Sequence, residues 1–193
     1  MRNICVFTGS SAGRDSRYHD AAVRLGTVLG ERGIGLVYGG AMVGLMGAVA
    51  DATLAAGGHV TGVIPKALVD REVAHTGLSD LRVVGSMHER KALMADLSDA
   101  FIALPGGIGT FEELFEAWTW HKLGTHSKPC AILNTAGFYD QLVGFLDHVV
   151  TEEFLTPSDR AMLLAASDPD TLLDRLAAYS KPAPAPLIGR DER

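Results

Sequence analysis

The feature that most constrains the fold is a regular alternation of short apolar runs with longer amphipathic stretches. Six runs rich in β-branched residues are bounded by glycine or proline: NICVFTG, IGLVYGG, GHVTGVIP, LRVVG, DAFIALPGG and PCAILN. Between most of them the sequence has a helical period, at residues 16–32, 44–57, 86–97, 110–123 and 137–150. Strands that are apolar throughout are typical of a covered parallel sheet. The alternation therefore predicts an α/β fold, a Rossmann-like parallel sheet with helices on both faces and right-handed crossovers.

The length of the chain sets the scale of this fold. Its 193 residues suit one domain, because domains usually have about 100–200 residues. We expect a single Rossmann-like nucleotide-binding domain over residues 1–180. Residues 65–80 have a weaker period and are expected to form a covering loop or a short helix. The tail over residues 181–193, KPAPAPLIGRDER, is rich in proline and then charged, and we expect it to be extended or disordered.

Composition and charge exclude several classes of protein. No apolar run approaches the roughly 18 residues that a membrane span needs, and the run in MRNICVFTGSS is too short for a signal peptide. Cys5 and Cys130 lie in apolar runs without metal-ligand spacing, which favours buried reduced thiols. The net charge of −6 argues against a nucleic-acid partner, which needs a basic surface. We therefore expect a soluble cytoplasmic protein with no membrane partner, and any phosphate that it binds should be on a small molecule.

Glycine-rich segments follow four of the predicted strands and open the helices behind them. They are TGSSAG (8–13), YGGAMVGLMG (38–47), GSMHERK (85–91) and PGGIGT (105–110). Ligands of parallel sheets bind at the carboxyl ends of the strands, so we expect these segments to meet at one edge of the sheet. Gly9 and Ser10 in the first segment, and Gly39 and Gly40 in the second, are then candidate binding residues.

The turn PGGIGT matches neither standard nucleotide fingerprint. The chain has no Gly-Lys-Ser/Thr triplet, and Glu112 stands where the Rossmann pattern needs its third glycine, so we expect no dinucleotide cofactor. The N–H groups of Gly107, Gly109 and Thr110 are instead suited to one phosphate, to which Thr110 adds a hydroxyl. The alternative is that these glycines only form the corner between strand and helix.

Arg90 is predicted to point into the protein. It lies on a core-facing stripe at the spacing i, i+3, i+4, i+7 with Leu93, Met94 and Leu97. A buried guanidinium needs a carboxylate or phosphate partner, so Arg90 belongs either to a site or to a structural salt bridge. Ser86 and Glu89 fit the capping box of the same helix, which gives Glu89 a structural role.

Two carboxylates, Glu112 and Glu113, follow the glycine turn, in what we predict to be the first turn of a helix. Thr110 and Glu113 also fit the capping-box pattern, so one interpretation of Glu113 is a helix cap. The second carboxylate and the nearby, inward-pointing Arg90 favour another interpretation. A carboxylate that faces an arginine beside a phosphate-sized turn suits chemistry on a sugar phosphate.

These motifs resemble a known family. SMHERK followed by PGGIGTFEE is similar to the paired signatures of the LONELY GUY proteins, cytokinin riboside 5′-monophosphate phosphoribohydrolases, some of which are labelled possible lysine decarboxylases. The resemblance covers about residues 2–178 and includes VFTGSS, YGGAMVGLMGAVAD, VIPKAL and TWHKLG. It implies a Rossmann-like homodimer, without a metal or redox cofactor, that releases an adenine-type base and ribose 5-phosphate from the nucleotide. Ala41 departs from the YGGG pattern of many members, which bears on how closely the second glycine turn approaches the ligand.

The resemblance also assigns residues. The catalytic pair of the family falls on Arg90 and Glu113. Its substrate-binding residues fall on the glycine turn and its surroundings, namely Glu72, Lys91, Gly106, Gly107, Ile108, Gly109, Thr110, Phe111, Glu112 and Thr119. In glycosidic cleavage the sugar gains oxocarbenium character at C1′, so the expected role of Glu113 is to stabilise that cation or position water. The expected role of Arg90 is to neutralise phosphate and keep Glu113 ionised.

The main prediction is therefore a hydrolase that acts on cytokinin riboside 5′-monophosphates and on AMP. Two alternatives stay open at this point. The same turns suit a sensor or carrier that binds a nucleotide monophosphate without cleaving it, and they suit a hydrolase of another nucleotide, of which AMP is the simplest. A lysine decarboxylase is not expected, because the lysines show no pattern that indicates a pyridoxal Schiff base.

Overall fold

The structure is a computed structural model and describes residues 1–69 and 74–180. In that part of the chain the strands are β1 (Asn3–Phe7), β2 (Gly35–Tyr38), β3 (Val60–Pro65), β4 (Asp80–Val84), β5 (Ala100–Ala103), β6 (Cys130–Leu133) and β7 (Leu163–Ala166). The helices are α1 (Ser16–Glu31), α2 (Gly44–Ala55), α3 (Lys66–Val69), α4 (Met87–Asp96), α5 (Ile108–Leu123), α6 (Asp140–Thr151), α7 (Pro157–Ala161) and α8 (Pro169–Ala177). A 3₁₀ turn lies at Thr135–Gly137.

The seven strands pair in parallel and form one sheet in the order β4-β3-β2-β1-β5-β6-β7. Strand β1 lies at the centre, where Cys5 is opposite Val37 of β2 and Phe101 of β5. Every residue of β2, β3, β5 and β6 is buried, as in a parallel sheet that is covered on both faces. The predicted α/β fold, with a Rossmann-like parallel sheet, is confirmed.

Successive residues of each strand face two different cores. On one face, Ile4 and Val6 of β1 pack in a core with residues of α1, α2 and α8. On the other face, Cys5 and Phe7 pack in a core with residues of α4, α5 and α6. Full burial of a large apolar side chain stabilises the fold by about 1.5–3 kcal/mol, so these two cores hold the helices that carry the site in place.

The order of the strands creates a crevice between β1 and β5. The chain builds the sheet outward from β1 to the edge strand β4, and it then returns through α4 to place β5 on the other side of β1. The turns after β1 and β5 meet there, because the Gly9 N–H donates to the carbonyl of Pro105 at 3.2 Å and the Thr8 hydroxyl donates to the same carbonyl at 3.3 Å. Ligands of open α/β sheets bind at such a reversal of strand order.

The sequence predicted six of these strands and five of the helices, with ends that differ by a few residues. A short helix was one of two options for residues 65–80, and α3 confirms it over Lys66–Val69. The elements α7, β7 and α8 were not predicted. The tail over residues 181–193 lies outside the described residues, so the expectation that it is extended or disordered stays a prediction. Within residues 1–69 and 74–180, no helix is both long enough and apolar enough to cross a membrane.

Candidate active site

A cavity of about 690 Å³ opens at the carboxyl ends of the central strands. Its walls come from the turns after β1 and β2 and from residues of α2, α3, α4 and α5. The lining residues are Val6, Phe7, Thr8, Gly9, Ser10, Gly39, Ala41, Val43, Met46, Leu68, Arg90, Met94, Gly107, Ile108, Gly109, Thr110 and Glu113. The volume lies within the range of about 300–1,000 Å³ that small-molecule sites occupy.

Helix α4 holds Arg90 in the wall of this cavity. The helix begins after Ser86, whose hydroxyl accepts from the Glu89 N–H at 3.1 Å, while the Glu89 carboxylate accepts from the Gly85 N–H at 2.7 Å. This arrangement confirms the structural role of Glu89, with Gly85 rather than Ser86 as the donor to its side chain. Arg90 lies one turn into the capped helix and is 8% exposed.

The guanidinium of Arg90 contacts the protein in three directions. Its Nε donates to the carbonyl of Val63 at 3.1 Å, and its Nη1 lies 3.1 Å from Oε1 of Glu113. Its Nη2 lies against Gly39, where an added Cβ would be 1.8 Å from that nitrogen. Arg90 therefore has the carboxylate partner that its burial requires, and Nη1 makes the contact. Gly39 has no side chain, and this leaves room for the arginine.

Glu113 lies on α5 and is 9% exposed. Burial raises the pKa of its carboxyl group, and the charge of Arg90 opposes that shift. A carboxylate that is buried with one arginine as its direct partner keeps most of its capacity to accept a proton or to stabilise a cation. The pair forms part of the cavity wall, where both groups can meet a ligand.

The structure overturns the interpretation of Glu113 as a helix cap. Helix α5 begins at Ile108, two residues earlier than predicted, and Gly107 is its N-cap residue without a side-chain hydrogen bond. Thr110 is therefore inside the first turn and is buried, while Glu112 and Glu113 fall in the second turn rather than the first. The side chain of Glu113 pairs with Arg90 across the two helices.

The glycine turn is open on the side of the cavity. A Cβ added at Gly107 or Gly109 would meet no atom within 4 Å, and neither residue has a positive φ. The fold therefore has no steric need for glycine at these two positions. Gly106 differs, because a Cβ there would lie 2.1 Å from Oγ1 of Thr110 and 2.9 Å from the N of Gly9. Gly106 is needed for packing, whereas Gly107 and Gly109 keep space free at the start of a helix, where N–H groups attract anions.

Comparison with known proteins identifies the family of this chain. Residues 46–176 match the family described as possible lysine decarboxylase. A probable cytokinin riboside 5′-monophosphate phosphoribohydrolase of Oryza sativa subsp. japonica is 52% identical over 93% of this chain and 72% of its own length. A cytokinin riboside 5′-monophosphate phosphoribohydrolase of Arabidopsis thaliana is 49% identical over 93% of this chain and 84% of its own length. The chain belongs to the LONELY GUY family.

Solved structures share the fold of this LONELY GUY protein at lower identity. The molybdenum cofactor carrier protein of Chlamydomonas reinhardtii superposes with a TM-score of 0.71 and 22% identity, over 92% of this chain and 99% of that one. At this identity the likeness shows the fold alone.

Not every residue that the LONELY GUY signatures assign lies at the cavity. Among the described residues, the large cavity contains Arg90, Glu113 and most of the glycine turn, and Gly106 lines an adjoining cavity of about 310 Å³ with Gly9, Ser10 and Gly107. Lys91, Phe111, Glu112, Thr119 and Gly40 line neither cavity. Glu72 lies outside the described residues.

Each of these residues has another environment. Lys91 of α4 forms an ion pair with Glu112 of α5, and the ring of Phe111 is stacked with the ring of Phe138. Thr119 is exposed on α5, about three turns beyond its start. Gly40 has a φ of +74° and packs against β3, where an added Cβ would lie 3.1 Å from Cβ of Ile64.

Sequence reasoning missed the apolar half of the cavity. The cavity is also lined by Val43 in the turn before α2, Met46 of α2 and Leu68 of α3, together with Met94 of α4. A signal was present, since Met46 follows a glycine segment that was already placed at the sheet edge. Apolar residues alone carry no chemical signature, and of these four only Met94 was assigned from the sequence, to a core-facing stripe.

None of the described residues that line the cavity is a lysine, the residue that would form a pyridoxal Schiff base. The described part of the chain also contains no cluster of three or more histidine, cysteine, aspartate or glutamate side chains that could hold a metal ion. Cys5 and Cys130 are buried free thiols, as predicted, and burial raises the pKa of both.

Proposed function

We propose that the protein is a hydrolase that cleaves the N-glycosidic bond of cytokinin riboside 5′-monophosphates. Water supplies an oxygen to C1′ of the sugar, the bond from C1′ to the base nitrogen breaks, and the base leaves with a proton. The products are a free adenine-type base and ribose 5-phosphate. The observation that carries the proposal is the buried Arg90–Glu113 pair, 3.1 Å apart, in a nucleotide-sized cavity beside an open glycine turn.

Glu113 is proposed as the catalytic carboxylate. The reacting sugar gains positive charge at C1′, and a buried carboxylate stabilises this charge more strongly than an exposed one because water screens it less. Burial raises the pKa of Glu113, which also suits a group that accepts a proton from water. The charge of Arg90 opposes that rise, which favours the ionised carboxylate.

The glycine turn is proposed to bind the 5′-phosphate. The N–H groups at the start of α5 border the space that Gly107 and Gly109 leave open, and Thr110 also lines the cavity. An anion there benefits from the positive end of the helix dipole. Arg90 lines the same cavity as this turn and pairs with Glu113, so its charge is proposed to offset both anions.

The apolar side of the cavity supports a substrate with an apolar substituent on the base. Val43, Met46 and Leu68 offer surface for an N6-prenyl group, and burial of such a group contributes about 0.8 kcal/mol per methylene. AMP lacks this group but keeps the phosphate and sugar, so we propose AMP as a second, poorer substrate.

We propose that the enzyme is a cytoplasmic homodimer. Three exposed apolar side chains lie in segments that border the cavity, namely Met42, Met87 and Ile108, and such surface is typical of a protein interface. Thr119 cannot meet a substrate in the cavity of its own chain, so a substrate contact for it requires a second copy. The reduced thiols of Cys5 and Cys130 fit a cytoplasmic location.

Product analysis tests the function directly. The purified protein is incubated with isopentenyladenosine monophosphate, with AMP and with isopentenyladenosine, and free base and ribose 5-phosphate are measured by chromatography. We expect release from both monophosphates, faster from the prenylated one, and little release from the riboside because it lacks the phosphate. Tight binding of both monophosphates without any free base would overturn the proposal in favour of a sensor or carrier.

A further inference from the structure

Lys91 follows Arg90 in α4, but its side chain turns to α5 instead of the large cavity. Its Nζ lies 2.5 Å from Oε1 of Glu112 and 3.0 Å from Oε2 of Glu116. The Lys91 side chain is 11% exposed, so most of its length is packed between the helices. Glu112 and Glu116 are neighbours at i, i+4 on α5 and hold the ammonium group between them.

A small void beside Glu113 shows that these groups share one space. It has a volume of about 10 Å³ and is lined by Lys91, Glu113 and Glu116, with apolar walls from Phe7, Ala95, Phe101, Ala117 and Trp120. This volume is at most that of a single water molecule, so no part of a nucleotide fits. Neither Lys91 nor Glu116 lines the large cavity, whereas Glu113 lines both spaces. The two residues therefore approach Glu113 from a side that the substrate does not occupy.

We propose that Lys91, held between Glu112 and Glu116, is a positioning residue that keeps Glu113 ionised, and that it does not bind the substrate phosphate. This inference rests on the function proposed above and concerns the same site. It assigns to Lys91 and Glu112 a role different from the substrate contact that the family signatures suggest, and it adds Glu116 to the residues that control the reaction.

The charges around Glu113 act in opposite directions. Burial is the largest cause that raises the pKa of Glu113; Arg90 and Lys91 from α4 lower it, and Glu112 and Glu116 from α5 raise it. The charge of Lys91 therefore offsets two carboxylates that would otherwise favour the protonated, inactive form.

The protonation states of Cys5 and Lys91 decide what charge each of them places beside Glu113. Cys5 of β1 is a buried thiol whose pKa is raised by burial and by the charge of Glu113, so it is neutral and adds no charge. Lys91 stays protonated because, although burial opposes this, its hydrogen bonds to Glu112 and Glu116 raise its pKa. A permanent positive charge thus stands beside Glu113 on the side away from the substrate.

The sign of the expected effect follows from the form of Glu113 that reacts. Catalysis needs the carboxylate, so turnover falls as the pH drops through the pKa of Glu113. Lys91→Gln removes a cation and leaves two carboxylates unneutralised, which moves this fall to higher pH. Glu116→Gln removes an anion, which moves the fall to lower pH.

The experiment measures base release from the prenylated monophosphate as a function of pH for the wild type and for the two variants. We expect the acid limb of kcat to move up by about one pH unit in Lys91→Gln and down by a smaller amount in Glu116→Gln. KM at neutral pH should stay within about twofold of the wild type, because neither side chain touches the substrate. Lys91→Arg keeps the cation and should restore the wild-type profile.

Lys122→Gln is the matched control. Lys122 lies near the other end of α5 and pairs with Asp159 at 3.0 Å, so the substitution removes the same charge far from Glu113 and should leave the acid limb in place. A large rise of KM in Lys91→Gln with an unmoved acid limb would mean that Lys91 binds phosphate, and would overturn the inference. Lower melting temperatures without opposite pH shifts would reduce Lys91 to a structural ion pair and overturn it as well.

A failure of the proposed function is distinguishable from a failure of this inference. If the wild type releases no base, the function is wrong, and the titration of the Glu113 carboxyl carbon by NMR in the same proteins decides the inference. Opposite shifts of that titration in Lys91→Gln and Glu116→Gln would uphold it. Equal or absent shifts would refute it.

Discussion

The role of Arg90 in turnover requires the shape of its guanidinium group as much as its charge. Its Nε donates to the carbonyl of Val63, its Nη1 pairs with the carboxylate of Glu113, and its Nη2 lies against Gly39. In Arg90→Lys the single ammonium group can serve only one of them. We expect turnover to fall by about 10²-fold or more although the charge is kept, as measured by base release at saturating substrate. Near-normal turnover would reduce Arg90 to a structural salt bridge.

Glu113→Gln separates chemistry from structure at the partner residue. A neutral amide still accepts a hydrogen bond from Arg90, but it cannot stabilise an oxocarbenium ion or take a proton from water. We expect turnover to fall by at least about 10²-fold, while affinity for AMP is retained because the glycine turn is intact. The melting temperature should decrease, since Arg90 loses a buried counter-charge.

The measurements for Glu113→Gln are base release, AMP affinity and thermal unfolding on one preparation, assayed well below its melting temperature. A folded variant that binds AMP and turns over normally would show that the ion pair serves stability alone. The capping explanation no longer competes, because α5 starts at Ile108 and leaves Glu113 in its second turn.

The start of α5 contains two glycines that the helix itself does not need, and we propose that they leave room for the phosphate. Gly109 has helical geometry and open space around its Cα, so Gly109→Ala should stabilise the protein by up to about 1 kcal/mol. The new methyl group occupies the space reserved for phosphate, so AMP affinity should fall by about tenfold or more. Calorimetry for both quantities checks this prediction.

Gly144→Ala is the matched change, since Gly144 also lies in a helix, α6, with no atom within 4 Å of an added Cβ. It should give a similar gain in stability and leave AMP affinity unchanged. Unchanged affinity in Gly109→Ala would remove the glycine turn from the binding site.

The elements that the sequence could predict are those whose signals are local. The central strands are runs of apolar residues ended by glycine, and the sheet follows from their alternation with helices. β7 was missed because its sequence LLAA is continuous with a helical-looking stretch and becomes a strand only by pairing with Cys130–Leu133. The start of α8 was also missed, although the sequence has a signal for it, since Asp168 caps the helix and Pro169 follows.

The candidate site was predictable to a similar degree. The inward direction of Arg90 followed from helical spacing, and its proximity to Glu113 followed from two adjacent glycine segments at one sheet edge. The capping pattern at Thr110 misled, since a pattern of four residues does not fix where a helix begins. The partners of Lys91 were beyond the sequence, because the angle and register of α4 against α5 depend on the packing of the whole core.

Exposed apolar side chains in segments that border the cavity lead to a prediction about the assembly of the whole molecule. Met42 and Ile108 are 57% and 86% exposed although both are large and apolar. A partner surface would remove them from water. We expect light scattering at micromolar concentration to give twice the mass of the 20.4 kDa chain, and dilution to lower both mass and activity. A monomeric mass with full activity would contradict the dimer.

Because Cys5 is buried in the central strand, the rate at which its thiol is modified reports how often the core opens. The thiol has no exposed surface, and burial raises its pKa, so an alkylating reagent reacts only after the helices α4 and α5 have separated from the sheet. A nucleotide in contact with Arg90 of α4 and Glu113 of α5, as proposed above, should hold those helices against the sheet and slow alkylation by a factor that rises as 1 + [L]/Kd. Mass spectrometry of the delay then ranks ligands by affinity, including those that are never cleaved.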